Sequence, residues 1–214
     1  MTKIKAVKFQ FILFLIAGAF CLRVDAQTNS IPSPETSAPT VQTLVCIRHG
    51  EKPKGGLGQL TCRGLNRALA LPKVLLDKYG TPQFIFAPNP TQKSDGNKYN
   101  YVRPLMTIEP TAIRCGLPVN TQFGYSEIQG LESELQKTNY PSATIFVAWE
   151  HVLLDQLAKN LIKDNGGDPK QVPDWPQTDY DTIFLIKITR SEKGNSVAFT
   201  IDHENLNGLS DDCP

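Results

Sequence analysis

Only three histidines occur in the 214-residue chain, so each can be weighed by its neighbours. His49 follows the apolar run TLVCI in Arg48-His49-Gly50-Glu51-Lys52-Pro53, and His151 follows the apolar run ATIFVAW. An imidazole with an unperturbed pKa of about 6.5 is neutral often enough near neutral pH to act as a nucleophile. Arg48 adjoins the first histidine. Arg103 heads the segment Val102-Arg103-Pro104-Leu105-Met106-Thr107, where a helix start would add N–H donors and partial positive charge. A guanidinium presents a planar fork suited to two phosphate oxygens. Two arginines and two imidazoles brought to one place describe an anion pocket, and phosphate is the anion that such a pocket fits best. His203, in Ile201-Asp202-His203-Glu204, follows a late strand with no partner motif and reads as structural.

The elements that must position these groups are legible from patterning. Short apolar runs alternate with segments of helical period, which predicts an α/β fold: a three-layer α/β/α sandwich around a mostly parallel, mixed central sheet. Strands are expected at Thr43–Ile47, Phe84–Ala87 and Ala143–Trp149, with a closing antiparallel pair at Thr182–Ile188 and Ser196–Ile201 turning at Lys193-Gly194-Asn195. Thr61 is a good N-cap for a helix over Cys62–Tyr79 that stops at Gly80 and carries Leu65, Leu69 and Leu76 on one face. Pro104 suits the first turn of a helix ending near Cys115 and Gly116. Further helices are expected over Ser126–Lys137 and Val152–Ile162. Pro88–Tyr99 and Asp164–Asp181 read as loops, the second as a long surface loop. Carboxyl ends of strands form the ligand crevice of open α/β sheets, so His49 and His151 are delivered to the same edge.

Composition narrows the setting. There are 22 Lys plus Arg against 21 Asp plus Glu and 40% hydrophobic residues, a profile of one ordinary globular domain. Residues 1–26 read as a secretory signal peptide: Lys3, Lys5 and Lys8, an apolar stretch from Phe9 to Leu22 that is short for a membrane span, and a small-residue cleavage site at Val24-Asp25-Ala26. Its removal leaves 18 basic and 20 acidic residues, a net charge of −2. No excess of cations then remains to neutralise a run of phosphates, which argues against a nucleic-acid partner, and no stable membrane span is expected. Residues 27–40, rich in Pro, Ser and Thr, read as a flexible leader, and the folded domain is expected over 41–214. The expected location is exported, periplasmic or secreted. Cys46, Cys62, Cys115 and Cys213 remain after cleavage, an even number that suits two disulfides with three possible connectivities, although Cys46, inside an apolar strand, could equally be a buried free thiol.

These motifs, in this order, resemble the histidine phosphatase superfamily, the phosphoglycerate mutase-like proteins. The resemblance rests on the apolar strand followed by Arg48-His49-Gly50-Glu51, on Leu60-Thr61-Cys62-Arg63-Gly64 with Ala68, on Arg103 with Thr107, Pro110 and Ala112, and on Trp149-Glu150-His151. It implies that His49 is the nucleophile and takes a phosphoryl group. Arg48, Arg103 and His151 would bind the phosphoryl oxygens, and water would hydrolyse the phosphohistidine with neither metal nor cofactor. Val152 after His151 departs from the branch with a His-Asp pair. The other branch supplies a glutamate as general acid from the segment after the second arginine helix, which points to Glu127, with Glu132, Glu134 and Glu150 as alternatives.

Two further departures are visible: a polar insertion separates Ala87-Pro88 from Arg103, and Glu150 stands where glycine commonly precedes the second histidine, expected to turn into a structural hydrogen bond. The expected activity is hydrolysis of phosphomonoesters on a phosphorylated small molecule or cell-envelope substrate. The alternatives are a catalytically impaired phosphate-ligand binding protein and a phosphomutase. The sequence specifies neither the substrate nor the oligomeric state.

Overall fold

A computed structural model describes residues 38–94, 96 and 98–214, which belong to one compact unit. The proposed signal peptide, and the leader as far as residue 37, lie outside the described residues. The elements in chain order are β1 (Thr40–Arg48), α1 (Cys62–Tyr79), β2 (Phe84–Phe86), β3 (Lys93–Ser94), β4 (Tyr99–Asn100), α2 (Arg103–Cys115), β5 (Val119–Asn120), α3 (Ile128–Leu135), β6 (Thr144–Trp149), α4 (His151–Asp164), β7 (Thr182–Ser191) and β8 (Gly194–His203). Six strands form one sheet in the order β5-β2-β6-β1-β7-β8, and β3 pairs with β4 as a separate small hairpin. β5, β2, β6 and β1 run parallel, while β7 is antiparallel to β1 and β8 to β7.

The central strands are continuous apolar runs because both faces of the sheet are covered. On one face α3 and α4 pack Leu131, Leu135, Leu157 and Leu161 over Leu44, Val147 and Phe184; on the other α1 and α2 pack Leu71, Leu75, Ile108 and Ala112 over Val45, Ile47 and Phe146. This is the expected three-layer sandwich. α1 occupies the expected span, with the Thr61 hydroxyl accepting from Gly64 N. Its buried stripe is Ala68, Leu71 and Leu75 instead of Leu65, Leu69 and Leu76, and Leu69 is 52% exposed. Leucines at helical spacing mark a face, but the face that points inward is the one whose small Gly64 and Ala68 allow close approach.

Other elements also differ from the expected spans. α3 is shorter than expected and leaves Glu127 at its N-cap position, outside the first turn. The Pro88–Tyr99 loop contains the β3–β4 hairpin. The Asp164–Asp181 segment buries Val172 and Trp175 against the core, so it is not merely a surface loop. One disulfide forms, Cys62–Cys213, and not two: Cys46 is a buried free thiol of β1 and Cys115 is free at the end of α2. Burial pushes the Cys46 thiol up to about 12. No helix among the described residues is long and apolar enough to cross a membrane.

Candidate active site

Strand register decides which loops meet. Arg48 pairs with Trp149 and Phe86 with Val147, so the ends of β1, β6 and β2 are level at one sheet edge. Because β7 is antiparallel, with Ile183 opposite Ile47, its incoming segment arrives at that same edge. The chain leaves β1 for one face and β6 for the other, which makes the gap between them a topological switch point.

His49 continues the β1 ladder, its N–H donating to Trp149 O at 3.1 Å, and its ring is buried. Nδ1 lies 2.7 Å from Gly50 O. A carbonyl can only accept, so Nδ1 carries the proton and Nε2 the lone pair. Burial, reinforced by the neighbouring Arg103 and Arg48 cations, drives the imidazole pKa down to about 3 against the pull of the Gly50 carbonyl. His49 is therefore a neutral base of fixed tautomer.

Gly50 donates its N–H to Thr107 Oγ1 at 2.9 Å, and the same hydroxyl donates to Arg103 O at 2.8 Å. The RHGE loop rests on α1 through paired glycines: a β-carbon on Gly64 would collide with Glu51 O, and one on Gly50 would crowd Gly64 O. Glu51 itself is a structural residue. It forms a two-pronged ion pair with the buried Arg67, which also holds Glu204 at 2.6 Å.

The cations are held from behind. Arg48 Nη1 is shared among the carbonyls of Pro176 (3.3 Å), Gln177 (2.8 Å) and Asp179 (2.7 Å), and its guanidinium carbon lies 4.0 Å from the centroid of the Tyr180 ring. Arg103 Nη1 donates to Gly56 O at 3.2 Å, and its guanidinium sits 4.6 Å from the Tyr101 ring centroid. Those two rings also bracket His49, at 6.0 Å for Tyr101 and 6.2 Å for Tyr180. A cleft of about 490 Å³ opens beside them, lined by Lys52, Pro53, Lys54, Gly55, Gly56 and Tyr180.

His151 is the first residue of α4 and is buried. Glu150 caps that helix, Oε2 accepting from Leu153 N at 3.0 Å, while Oε1 lies 2.5 Å from His151 Nδ1. Neither ring nitrogen of His151 has a well-aligned hydrogen-bond partner among the described residues. Burial works to raise the Glu150 pKa, but His151 and the backbone N–H groups of Leu153 and Val152 outweigh it and hold the carboxyl below its ordinary range.

Arg48, His49 and Arg103 are thus gathered, and His151 opens α4 just beyond the adjoining β6. Glu127 stands apart, in a recess of about 180 Å³ lined by Asn89, Thr91, Gln92 and Gly124, where Oε2 accepts from Gly124 N at 2.6 Å. The alternative acids are engaged elsewhere: Glu132 with Asn160 Nδ2 at 2.8 Å, and Glu134 with Tyr140 OH at 2.6 Å and Lys137 Nζ at 2.5 Å. Sequence reasoning missed Tyr101 and Tyr180. The antiparallel entry of β7 was the available signal for Tyr180, because it returns the residues before Thr182 to the ligand edge.

No family model matches the chain, and no curated protein matches it. Solved structures do. A protein assigned as the phosphohistidine phosphatase SixA from Nakamurella multipartitia superposes with a TM-score of 0.54 at 14% identity, covering 79% of this chain and 98% of that one. A phosphoglycerate mutase from Bacillus anthracis str. Sterne gives a TM-score of 0.50 at 10% identity, covering 78% of this chain and 94% of that one. The chain has a phosphoglycerate mutase-like fold.

Proposed function

We propose that this chain is an exported phosphatase that hydrolyses phosphomonoesters through a phosphohistidine at His49. The observation that carries this reading is the 2.7 Å contact from His49 Nδ1 to Gly50 O, which presents an unprotonated Nε2 between two arginines. In the first step the Nε2 lone pair attacks phosphorus in line, the phosphorus–nitrogen bond forms, and the bond to the leaving oxygen breaks. Arg48, Arg103 and His151 hold the three equatorial oxygens, whose charge they compensate.

Glu127 protonates the leaving oxygen and afterwards accepts a proton from the water that displaces His49. Two ring contacts that link its loop to His49 support this role: Tyr125 packs 4.8 Å from Tyr101, which stands edge-on to His49 at 6.0 Å. Glu150 acts on His151 and the helix start, leaving it no part in proton transfer. The organic portion of the substrate, a phosphorylated small molecule or cell-envelope component, lies in the cleft along Tyr180.

A second reading, a phosphate-ligand binding protein without turnover, is favoured by one detail: the Glu127 carboxylate is folded back onto Gly124 N. Phosphate release from 4-nitrophenyl phosphate in the presence of EDTA separates the two. The phosphatase reading expects steady release by the wild type and loss of at least about a thousand-fold in His49→Ala. Binding of inorganic phosphate with no release over a broad pH range favours the second reading, and equal release by the variant overturns the assigned nucleophile.

A further inference from the structure

The polar insertion before Arg103 is fastened at two ends by one side chain and its own backbone. Gln92 Nε2 donates to Ser126 Oγ at 2.7 Å, and Gln92 Oε1 accepts from Ser126 N at 3.1 Å. Its carbonyl oxygen accepts from Tyr101 N at 2.9 Å. A second stitch runs alongside, Asn89 N donating to Phe123 O at 2.6 Å. Gln92 therefore joins two segments that are distant in sequence. Tyr101 lies against Arg103 and His49, and Ser126 immediately precedes Glu127.

Local sterics are shaped around this contact. A β-carbon on Gly124 would collide with Gln92 Oε1, so a larger residue at 124 would push the amide out of its present position against Ser126. Gly124 is also the residue whose N–H holds Glu127 Oε2. A carboxamide is suited to this place because it supplies one donor and one acceptor on a single planar group, and the backbone N–H and hydroxyl of Ser126 require both.

We infer that Gln92 is a positioning residue for the general acid, setting the distance between the Glu127 carboxyl and the phosphoryl site and passing the register of the Tyr101–Arg103 segment to the acid loop. The inference rests on Glu127 being the acid. Gln92 touches no reacting atom; it acts through Ser126 and Gly124. Its consequence is confined to steps in which the leaving oxygen needs a proton, because aryl phosphates with good leaving groups depart without one.

The test compares kcat for 4-nitrophenyl phosphate with kcat for an alkyl phosphate, glycerol 2-phosphate, in the wild type, Glu127→Gln, Gln92→Ala and Gln92→Glu. The expected result for Gln92→Ala is a fall of about ten-fold or more in the alkyl-to-aryl ratio, in the direction of Glu127→Gln and smaller in size. Gln92→Glu keeps an acceptor for Ser126 N and adds a negative charge beside Glu127, so the alkaline limb of its pH profile moves to higher pH. A general loosening of the loop would slow both substrates alike and leave the limb in place, and that result overturns the inference. If Glu127→Gln itself leaves the ratio unaltered, the acid assignment fails; if Glu127→Gln lowers the ratio and neither Gln92 variant does, the positioning role alone fails.

Discussion

His49 Nδ1 donates to the carbonyl oxygen of the next residue, Gly50, across 2.7 Å, and this short local bond sets which nitrogen faces the ligand. Burial and two flanking guanidinium groups hold the same ring neutral, with a pKa of about 3. Nitrogen-15 spectra of the ligand-free protein are expected to show Nδ1 protonated and Nε2 unprotonated throughout pH 5 to 8. A titration midpoint near the ordinary histidine value contradicts this.

The same depression has a thermodynamic consequence. The unfolded chain binds a proton at this imidazole below about pH 6.5, whereas the folded protein resists it until about pH 3. The contribution of His49 to stability is therefore complete above pH 6.5 and is lost progressively as pH falls through that window. Denaturant midpoints measured from pH 7 to pH 4 should fall less steeply in His49→Asn than in the wild type.

Loss of either phosphate-binding arginine should be costly. Arg48→Ala or Arg103→Ala is expected to remove about 2 to 4 kcal/mol of transition-state stabilisation, read as kcat/KM. Tyr180→Ala should produce a smaller loss in the same parameter, because it removes the ring against which Arg48 is stacked but leaves the guanidinium itself in place. An unchanged kcat/KM in Arg48→Ala excludes that residue from the site.

Glu150 has two functions that can be separated. Glu150→Gln retains an oxygen to cap Leu153 N and removes the charge beside His151, so it should lower kcat with little change in thermal midpoint. Glu150→Ala loses the cap as well, at about 1 kcal/mol of stability. Equal thermal midpoints for the two variants argue against the cap.

The Arg67 guanidinium is buried among Glu51, Asp181 and Glu204, at 2.7, 3.6 and 2.6 Å. Arg67→Met leaves three carboxylates without their cation and is expected to destabilise the fold by about 3 to 5 kcal/mol in chemical denaturation. The Cys62–Cys213 bridge closes a loop spanning a sequence separation of 151 residues, so Cys62→Ser with Cys213→Ser should cost about 2 to 5 kcal/mol.

Much of this site was legible because it is built on periodic elements. The apolar strands ending at Ile47 and Trp149 announced where His49 and His151 emerge, and Pro104 with Gly116 delimited the helix that carries Arg103. Thr61 and Gly80 bounded α1 correctly. What escaped is set by tertiary contact. The three carbonyls behind Arg48 belong to a proline-rich segment with no periodicity, and Tyr180 is recognised only once β7 is known to run against β1. A helix over Ser126–Lys137 puts Glu127 in its first turn, whereas its carboxylate accepts from Gly124 N before α3 begins. The apolar strand around Cys46 made a buried free thiol there a legible alternative, but an even count of cysteines could not single out Cys62 and Cys213 as the pair.

The covalent step is tested most directly by trapping it. The wild type, quenched during turnover of 4-nitrophenyl phosphate and mapped by mass spectrometry at neutral to alkaline pH, should carry an acid-labile phosphoryl group on the peptide containing His49, and His49→Asn should carry none. A phosphoryl group on another residue, or undiminished turnover by His49→Asn, contradicts the assignment.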